Sequence, residues 1–174
     1  IKVLEKHIEI SWWDQERAES MLYIGEGNRM LGDDKEALMW FHKAFMEDAS
    51  RREALLKLAE YYLQKKDPRR TACYTEAALV IPHSNFYAVD QKNYTWFPHE
   101  MAYWAYMQMG DMEKAKPHYD KALAFESHRP NFVWDYRFFY QLPKVSFVLS
   151  TLGMRKEGLE RCVNSIKKLM YPPA

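Results

Sequence analysis

The sequence of 174 residues has few cysteines, few glycines and no excess of charge. Its two cysteines, Cys73 and Cys162, form no CxxC pair, so we expect no disulfide framework and no zinc site, and we predict two buried free thiols. Gly25-Glu26-Gly27 is only half of a dinucleotide fingerprint. With 25 basic and 24 acidic residues, the net charge of +1 leaves no basic excess to neutralise nucleic-acid phosphates.

Long apolar runs are also absent. None approaches the ~20 residues that a membrane-spanning helix needs. Charges occupy the first residues, where a signal peptide has its apolar core. The sequence therefore predicts a cytoplasmic protein that binds neither membrane nor nucleic acid. Because it begins at Ile1 and shows no obvious stop after Tyr171-Pro172-Pro173, we expect a piece of a longer protein.

Several signatures of catalytic sites are missing as well. His99-Glu100 lacks the second histidine of the zinc-protease helix, and no Gly-X-Ser-X-Gly elbow, phosphate loop or Asp-X-Asp pair occurs. We therefore expect no catalytic residue, no metal site and no cofactor. The six histidines are expected at the surface or in packed positions with their polar atoms satisfied.

Three segments do share one pattern of apolar and small residues. Each has two apolar stripes at the helical spacing i, i+3, i+4 and i+7, separated by a short turn that ends in aspartate. The turns are Gly32-Asp33, Lys66-Asp67 and Gly110-Asp111, spaced by 34 and then 44 residues. Glycine suits a turn of this kind because it accepts the left-handed conformation at a helix C-terminus. The longer second spacing indicates an insert, which we place at residues 86–95.

Residue size follows the same repeat. Small residues recur where paired helices must approach closely, and large residues fill the space that remains. The small ones are Gly25, Ala37, Ala44, Ala59, Ala78, Ala115 and Ala122, and the large ones are Phe41, Tyr62, Tyr106 and Tyr119. A single hairpin cannot bury its own stripe, so neighbouring hairpins must stack.

A helical hairpin with a period of 34 residues resembles the tetratricopeptide repeat. The resemblance covers about residues 18–129 and implies an all-α, right-handed superhelix of three helical hairpins. The predicted units are 18–51, 52–85 and 96–129. The second unit departs from the family pattern, because Thr71 replaces the usual alanine and Thr75 the usual large residue.

The flanks of the repeat give further expectations. Residues 1–17 form a lead-in, with a helix predicted to begin at the possible capping box Ser11–Asp14. Pro98 suits the first turn of a helix, whereas Pro117 predicts a late helix start or a mild kink. Residues 130–142 are predicted to be a helix that caps the apolar end of the stack.

The last segment, 143–174, has a different pattern. Val145–Leu149 alternates like a strand, Ser150–Gly153 reads as a turn and Met154–Met170 as an amphipathic helix. The sequence of this segment is similar to the first strand and helix of family-2 glycosyltransferases with a GT-A fold, although Ser150 replaces the usual proline. The resemblance implies that Thr151 lies beside the nucleotide of the sugar donor. We also predict that Ile1–Ile10, which has extended character, lies against Val145–Leu149.

The concave groove is the expected binding surface, because the first helix of each tetratricopeptide unit lines it. Its mixture of apolar side chains and carboxylates predicts an extended or helical peptide that carries basic residues. Counted along the first helices, the candidate groove residues are Glu19, Leu22, Glu26 and Arg29, then Glu53, Leu56, Glu60 and Leu63, then Phe97, Glu100, Trp104 and Met107.

Two other kinds of ligand can be weighed. Chaperone-binding tetratricopeptide domains hold a terminal carboxylate with basic residues and asparagine, but those positions here are Leu22, Glu26, Lys57, Phe97 and Met101. Aromatic side chains near the insert can stack on sugars or close the gap between units; they are Phe86, Tyr87, Tyr94, Trp96 and Phe97. Three functions follow: a non-catalytic interaction or spacer module of a multidomain glycosyltransferase, a free-standing peptide-binding adaptor, or a carbohydrate-binding module.

Overall fold

The computed structural model describes residues 1–84, 86–140, 160–161 and 163–165. The chain divides into two compact units, Ile1–Gln141 and Leu142–Ala174. In the second unit the described residues are helical, while the predicted strand Val145–Leu149 and the predicted nucleotide-side residue Thr151 lie outside the described residues.

The first unit consists of helices joined by short connections. Helical structure was predicted for most of it, and among the described residues no strand occurs, which confirms an all-helical fold there. The helices are α1 (Lys2–Ile10), α2 (Asp14–Met30), α3 (Asp34–Glu47), α4 (Glu53–Gln64), α5 (Pro68–Val80), α6 (Trp96–Gln108), α7 (Met112–Phe125) and α8 (Pro130–Phe139), with a 3₁₀ turn at Gln91–Tyr94.

Three helical hairpins form the body of this unit: α2 with α3, α4 with α5, and α6 with α7. Each hairpin turns through the same backbone geometry. Gly32 and Gly110 have φ of 84° and 76°, and Lys66 takes φ of 56° at the equivalent position. The aspartate that follows each turn then caps the second helix, because its Oδ1 accepts from a backbone N–H three residues later, at 3.1 Å in all three hairpins.

The first hairpin is held together by a close approach at Gly25. A Cβ atom at this position would lie 2.5 Å from Cε1 of Phe41, whose side chain is fully buried in α3. Only a glycine allows α2 and α3 to reach this distance. The small residue predicted at this crossing therefore has a direct structural cause.

The two threonines of α5 fit a buried helix without leaving a polar atom unpaired. Thr71 and Thr75 are fully buried. The hydroxyl of Thr71 donates to the carbonyl of Asp67, and that of Thr75 donates to the carbonyl of Thr71, both at 2.8 Å. Each hydroxyl is thus satisfied inside its own helix, so the second unit keeps the helical hairpin despite its departure from the family pattern.

Two apolar clusters form the core of the first unit. One joins the first two hairpins and the start of α6, with Phe41, Leu56 and Met101 among its most buried members. The other joins α6, α7 and α8 around Tyr103, Tyr119 and Phe132. Because α8 supplies Phe132 to the second cluster, α8 covers the end of the third hairpin.

Three details of the sequence predictions are wrong. Ile1–Ile10 is not extended: Lys2–Ile10 is a helix, because Ile8 packs against the first cluster and Ile1 approaches Gly27 of α2. No capping box starts α2, which begins at Asp14 without a side-chain cap.

The third error concerns Cys73. One of the two alternatives given for Pro117 is also excluded, while the other, a mild kink, stays a prediction. Helix α7 does not start late, since the side chain of Asp111 caps it and Pro117 lies inside the helix. Cys73 is exposed rather than buried, because it faces away from the stripe that Thr71 and Thr75 occupy; Cys162 lies outside the described residues. In the described part of the chain, no helix has the combination of length and apolar character that crossing a membrane requires.

Candidate functional site

A groove of about 270 Å³ lies between α2, α4, the start of α6 and the insert that precedes α6. It is lined by first helices of the hairpins, as expected for a concave surface, and by one wall of irregular chain. The lining residues are Glu19, Leu22, Tyr23, Glu26, Glu53, Leu56, Lys57, Glu60, Ala88, Asp90, Lys92, Asn93 and Phe97.

The insert reaches the groove because its aromatic residues anchor it to the first two hairpins. Phe86 packs edge-on against Trp13, with ring centroids 5.7 Å apart, and the guanidinium of Arg51 lies 4.3 Å from the Phe86 centroid. Tyr94 donates to Glu53 Oε2 at 3.2 Å, and burial raises the pKa of Tyr94 to about 12. These aromatics therefore close the gap between units; only Tyr87 stays largely exposed.

Arg51 lies in the connection between α3 and α4 and holds two groove carboxylates in place, those of Glu19 and Glu53. Its side chain is only 3% exposed, and its guanidinium contacts Glu19 Oε2 at 2.5 Å and Glu53 Oε2 at 3.4 Å. Burial acts to lower the pKa of Arg51, but hydrogen bonding to Glu19 and the charges of both carboxylates outweigh it and raise the pKa overall. Arg51 therefore ties α2 to α4 as a permanent cation.

Lys57 makes a similar but more open bridge further along the groove. Its Nζ lies 3.4 Å from Glu26 Oε1 on α2 and 3.2 Å from Glu60 Oε2 on α4. The second oxygen of Glu26 accepts from Arg29 at 2.7 Å. All three groove side chains of this bridge are partly exposed, although Glu26 Oε1 is itself shielded from solvent.

The structure gathers about half of the candidate groove residues at one place. Seven of the twelve candidate positions line the groove: Glu19, Leu22, Glu26, Glu53, Leu56, Glu60 and Phe97. Of these, Leu22 and Leu56 are mostly buried and form only the floor of the groove.

The other five candidates do not line the groove. Arg29 binds Glu26, Leu63 packs against the first cluster and Met107 against the second. Glu100 pairs with Arg129 at 3.6 Å, and burial raises its pKa. Trp104 stacks on Tyr103.

Among the described residues that line the groove, no set of basic side chains is arranged to hold a terminal carboxylate. Of the positions compared with chaperone-binding domains, Met101 is buried in the core, and Glu26 and Lys57 neutralise each other. Sequence reasoning also missed one wall of the groove, made by Ala88, Asp90, Lys92 and Asn93. Their participation depends on contacts across some 40 residues of sequence, such as Tyr94 with Glu53, which no local pattern signals.

A second polar cluster lies between the second and third hairpins, away from the groove. Nδ1 of His99 and Nδ1 of His118 are 3.1 Å apart, and Nε2 of His118 is 3.0 Å from Glu76 Oε1, which also accepts from the hydroxyl of Tyr106. Burial lowers the pKa of His99 to about 4, and the charges of His118, Lys121 and Arg52 act in the same direction. Burial also lowers the pKa of His118, against the opposing effect of Glu76.

This cluster predicts a loss of stability in mild acid. Because the pKa of His99 is lower in the folded protein than in the unfolded chain, its contribution is complete above pH ~6.5 and is lost as the pH falls toward 4. After allowance for the partial exposure of His99, we expect the free energy of unfolding to fall by about 1 kcal/mol between pH 7 and pH 5. Urea denaturation at both pH values should show a smaller loss for His99→Gln. The exposed His128→Gln should behave like the parent, and equal pH sensitivity of all three proteins would contradict this prediction.

Within the part of the chain that the structure describes, no group of three or more histidine, cysteine, aspartate or glutamate side chains is arranged to hold a metal ion. The His99–His118 contact does not supply one either, because both ring nitrogens of His118 are already engaged.

The hairpins and the groove define the class: a helical-repeat domain with the tetratricopeptide fold. Solved structures that share the fold include the first TPR of Spaghetti (RPAP3) bound to the HSP90 peptide SRMEEVD, at TM-score 0.60 and 16% identity, covering 73% of this chain and 95% of that one. The N-terminal domain of stress-induced protein-1 (STI-1) from C. elegans matches at TM-score 0.62 and 18% identity, over 74% and 98%.

The MamA protein matches over more of the chain, at TM-score 0.55 and 16% identity, covering 99% of this chain and 88% of that one. Comparisons with protein-family models and with curated proteins give no match. At these identities the likeness shows the fold alone, and it confirms the tetratricopeptide-type repeat that the spacing predicted.

Proposed function

We propose that the first unit is a protein-interaction module that binds a peptide segment of a partner in the groove between α2 and α4. The observation that carries this proposal is the groove itself, where Glu26 and Glu60 stand beside the apolar surfaces of Tyr23 and Phe97. A solved neighbour of the same fold is described as bound to a peptide, which supports the class of ligand but not its sequence.

The charge of the groove favours a peptide with a basic residue. Five carboxylates line it against two lysines, and the buried Arg51 neutralises part of the charge of Glu19 and Glu53. Lys92 pairs with Asp90 at 3.0 Å. The carboxylate that a ligand can use most readily is therefore Glu60, which pairs only with Lys57 among the described residues, and Glu26 adds Oε1, since Arg29 holds its Oε2. An acidic peptide tail of the chaperone type would be repelled there.

A peptide array tests this proposal directly. Extended peptides with basic, neutral and acidic residues between leucines should bind the parent protein in that order. Charge reversal by Glu60→Lys should abolish the preference for the basic peptides. Glu126→Lys makes the same change of net charge at the exposed end of α7, outside the groove, and should leave the preference intact. Binding that is indifferent to peptide charge, or equally affected by both variants, would refute the proposal.

We further propose that this module belongs to a cytoplasmic, multidomain glycosyltransferase and is not itself catalytic. The support is the similarity of residues 143–170 to the first strand and helix of a GT-A domain. In that setting the groove would position an acceptor protein or a neighbouring domain, whereas a free-standing adaptor would need no such continuation. Reading the coding sequence downstream of Ala174 tests the proposal: an Asp-X-Asp motif within the next domain is expected, and its absence would favour the adaptor.

The carbohydrate-binding alternative is less well supported. Phe86 and Tyr94 are buried by packing of the insert, so they present no open ring face to a sugar. Among the insert aromatics only Tyr87 is largely exposed, and a single exposed ring is a weak platform for a carbohydrate.

A further inference from the structure

The groove contains two facing pairs of carboxylates that share one geometry. Glu19 and Glu26 are seven residues apart on α2, and Glu53 and Glu60 are seven residues apart on α4. Seven residues are about two helical turns, so each pair of positions lies on one helix face, about 10 Å apart along the axis. A cation lies between α2 and α4 beside each facing pair. Arg51 joins Glu19 to Glu53, and Lys57 joins Glu26 to Glu60.

The two cations differ in how firmly they are held. The side chain of Arg51 is 3% exposed and is covered by Phe86, so it belongs to the folded core of the first unit. The side chain of Lys57 is 34% exposed. Ion pairs with this degree of exposure shift an equilibrium by about fivefold or less, so the bridge made by Lys57 can be exchanged at little cost.

The carboxylates also retain capacity that Lys57 does not use. Glu53 lines the groove with a side chain more than nine-tenths buried, and within the described residues its Oε1 accepts no hydrogen bond. Glu26 Oε1 likewise has a charged neighbour in Lys57 but no hydrogen bond, while Glu26 Oε2 accepts from Arg29. An ammonium is a compact point charge, whereas a guanidinium presents five N–H donors in a plane that matches paired carboxylates.

We propose that Lys57 occupies a subsite for an arginine of the bound peptide and is displaced from Glu26 and Glu60 when that arginine enters. This inference rests on the proposed peptide-binding function and adds the specificity of one position. Lys57 acts as an internal competitor: it keeps the carboxylates neutralised in the free protein and selects against ligands that lack a stronger cation.

Fluorescence anisotropy with three labelled peptides tests the subsite. Each peptide carries one central residue between leucines: arginine, lysine, or the neutral arginine analogue citrulline. The arginine peptide should bind the parent protein most tightly. Lys57→Gln should tighten binding of the arginine peptide about 3- to 10-fold, because the competing cation and its repulsion are removed. The citrulline peptide should gain less than about twofold.

Lys65→Gln is the matched control. Lys65 follows directly after the same helix, pairs with Asp34 at 2.6 Å and does not line the groove, so its loss changes net charge equally. An unchanged or weakened arginine peptide on Lys57→Gln, or an equal gain on Lys65→Gln, would overturn the subsite while leaving peptide binding in place. If no peptide binds the parent or either variant, the proposed function fails together with the subsite.

Discussion

Arg51→Ala should destabilise the protein by about 3–5 kcal/mol, the largest effect we expect from a single substitution outside the apolar core. Removing the guanidinium leaves Glu19 and the buried Glu53 without their shared cation. It also removes the surface on which Phe86 packs. The loss should be measured as the change in the free energy of unfolding in urea, and the groove wall should open in parallel, seen as faster proteolysis within the insert.

Arg17→Ala is the matched control for this substitution. Arg17 also joins two helices, through Glu47 of α3, but both side chains are about one-quarter exposed. An ion pair in that setting contributes about 1 kcal/mol or less. Similar losses in the two variants would show that burial does not set the strength of the Arg51 bridge.

Gly25→Leu should destabilise the first hairpin by about 1–3 kcal/mol. Even the Cβ atom would lie within 2.6 Å of two atoms of the Phe41 ring, and that ring is fully buried, so it cannot turn away without disturbing the first cluster. Helix propensity alone would favour the change by up to about 1 kcal/mol, so a net loss isolates the packing effect. Thermal or urea unfolding measures it.

Gly27→Ala provides the opposite expectation in the same helix. A Cβ at Gly27 would meet Ile1 Cγ1 at 3.5 Å, which is ordinary contact. The variant should therefore gain stability, by up to about 1 kcal/mol. A neutral Gly25→Leu, or a loss at Gly27 as large as that at Gly25, would contradict the packing described for α2 and α3.

The repeating part of the fold could be predicted because its causes are local. The apolar stripes, the small residue at Gly25 and the turns at Gly32 and Gly110 are each dictated by helix geometry within one hairpin. α1 was mistaken for an extended segment because Ile8 and Ile10 alternate, whereas the helix depends on Ile8 reaching the first cluster. Helix α1 packs on α2, so the contact lies beyond the short window in which the alternation of Ile8 and Ile10 is read.

The candidate site, too, could be predicted where helix geometry alone decides and could not where packing between helices decides. Counting along α2 and α4 identified their carboxylates, because a regular helix fixes which residues share a face. On α6 the same counting held for Phe97 but failed further along, where Glu100 turns to Arg129 and Met107 joins the second cluster. There α8 covers the face that would otherwise be open, and the covering depends on how a later helix packs rather than on the periodicity of α6.

The histidine cluster places a proton-sensitive contact at the junction between the second and third hairpins. The first two hairpins are joined by a continuous apolar cluster and by Arg51, whereas the junction at His99, His118 and Glu76 depends partly on a proton-sensitive contact. Acidification is therefore expected to weaken this junction. The carboxylates that α2 and α4 present to the groove lie outside this junction, so their spacing should not depend on pH in the same way.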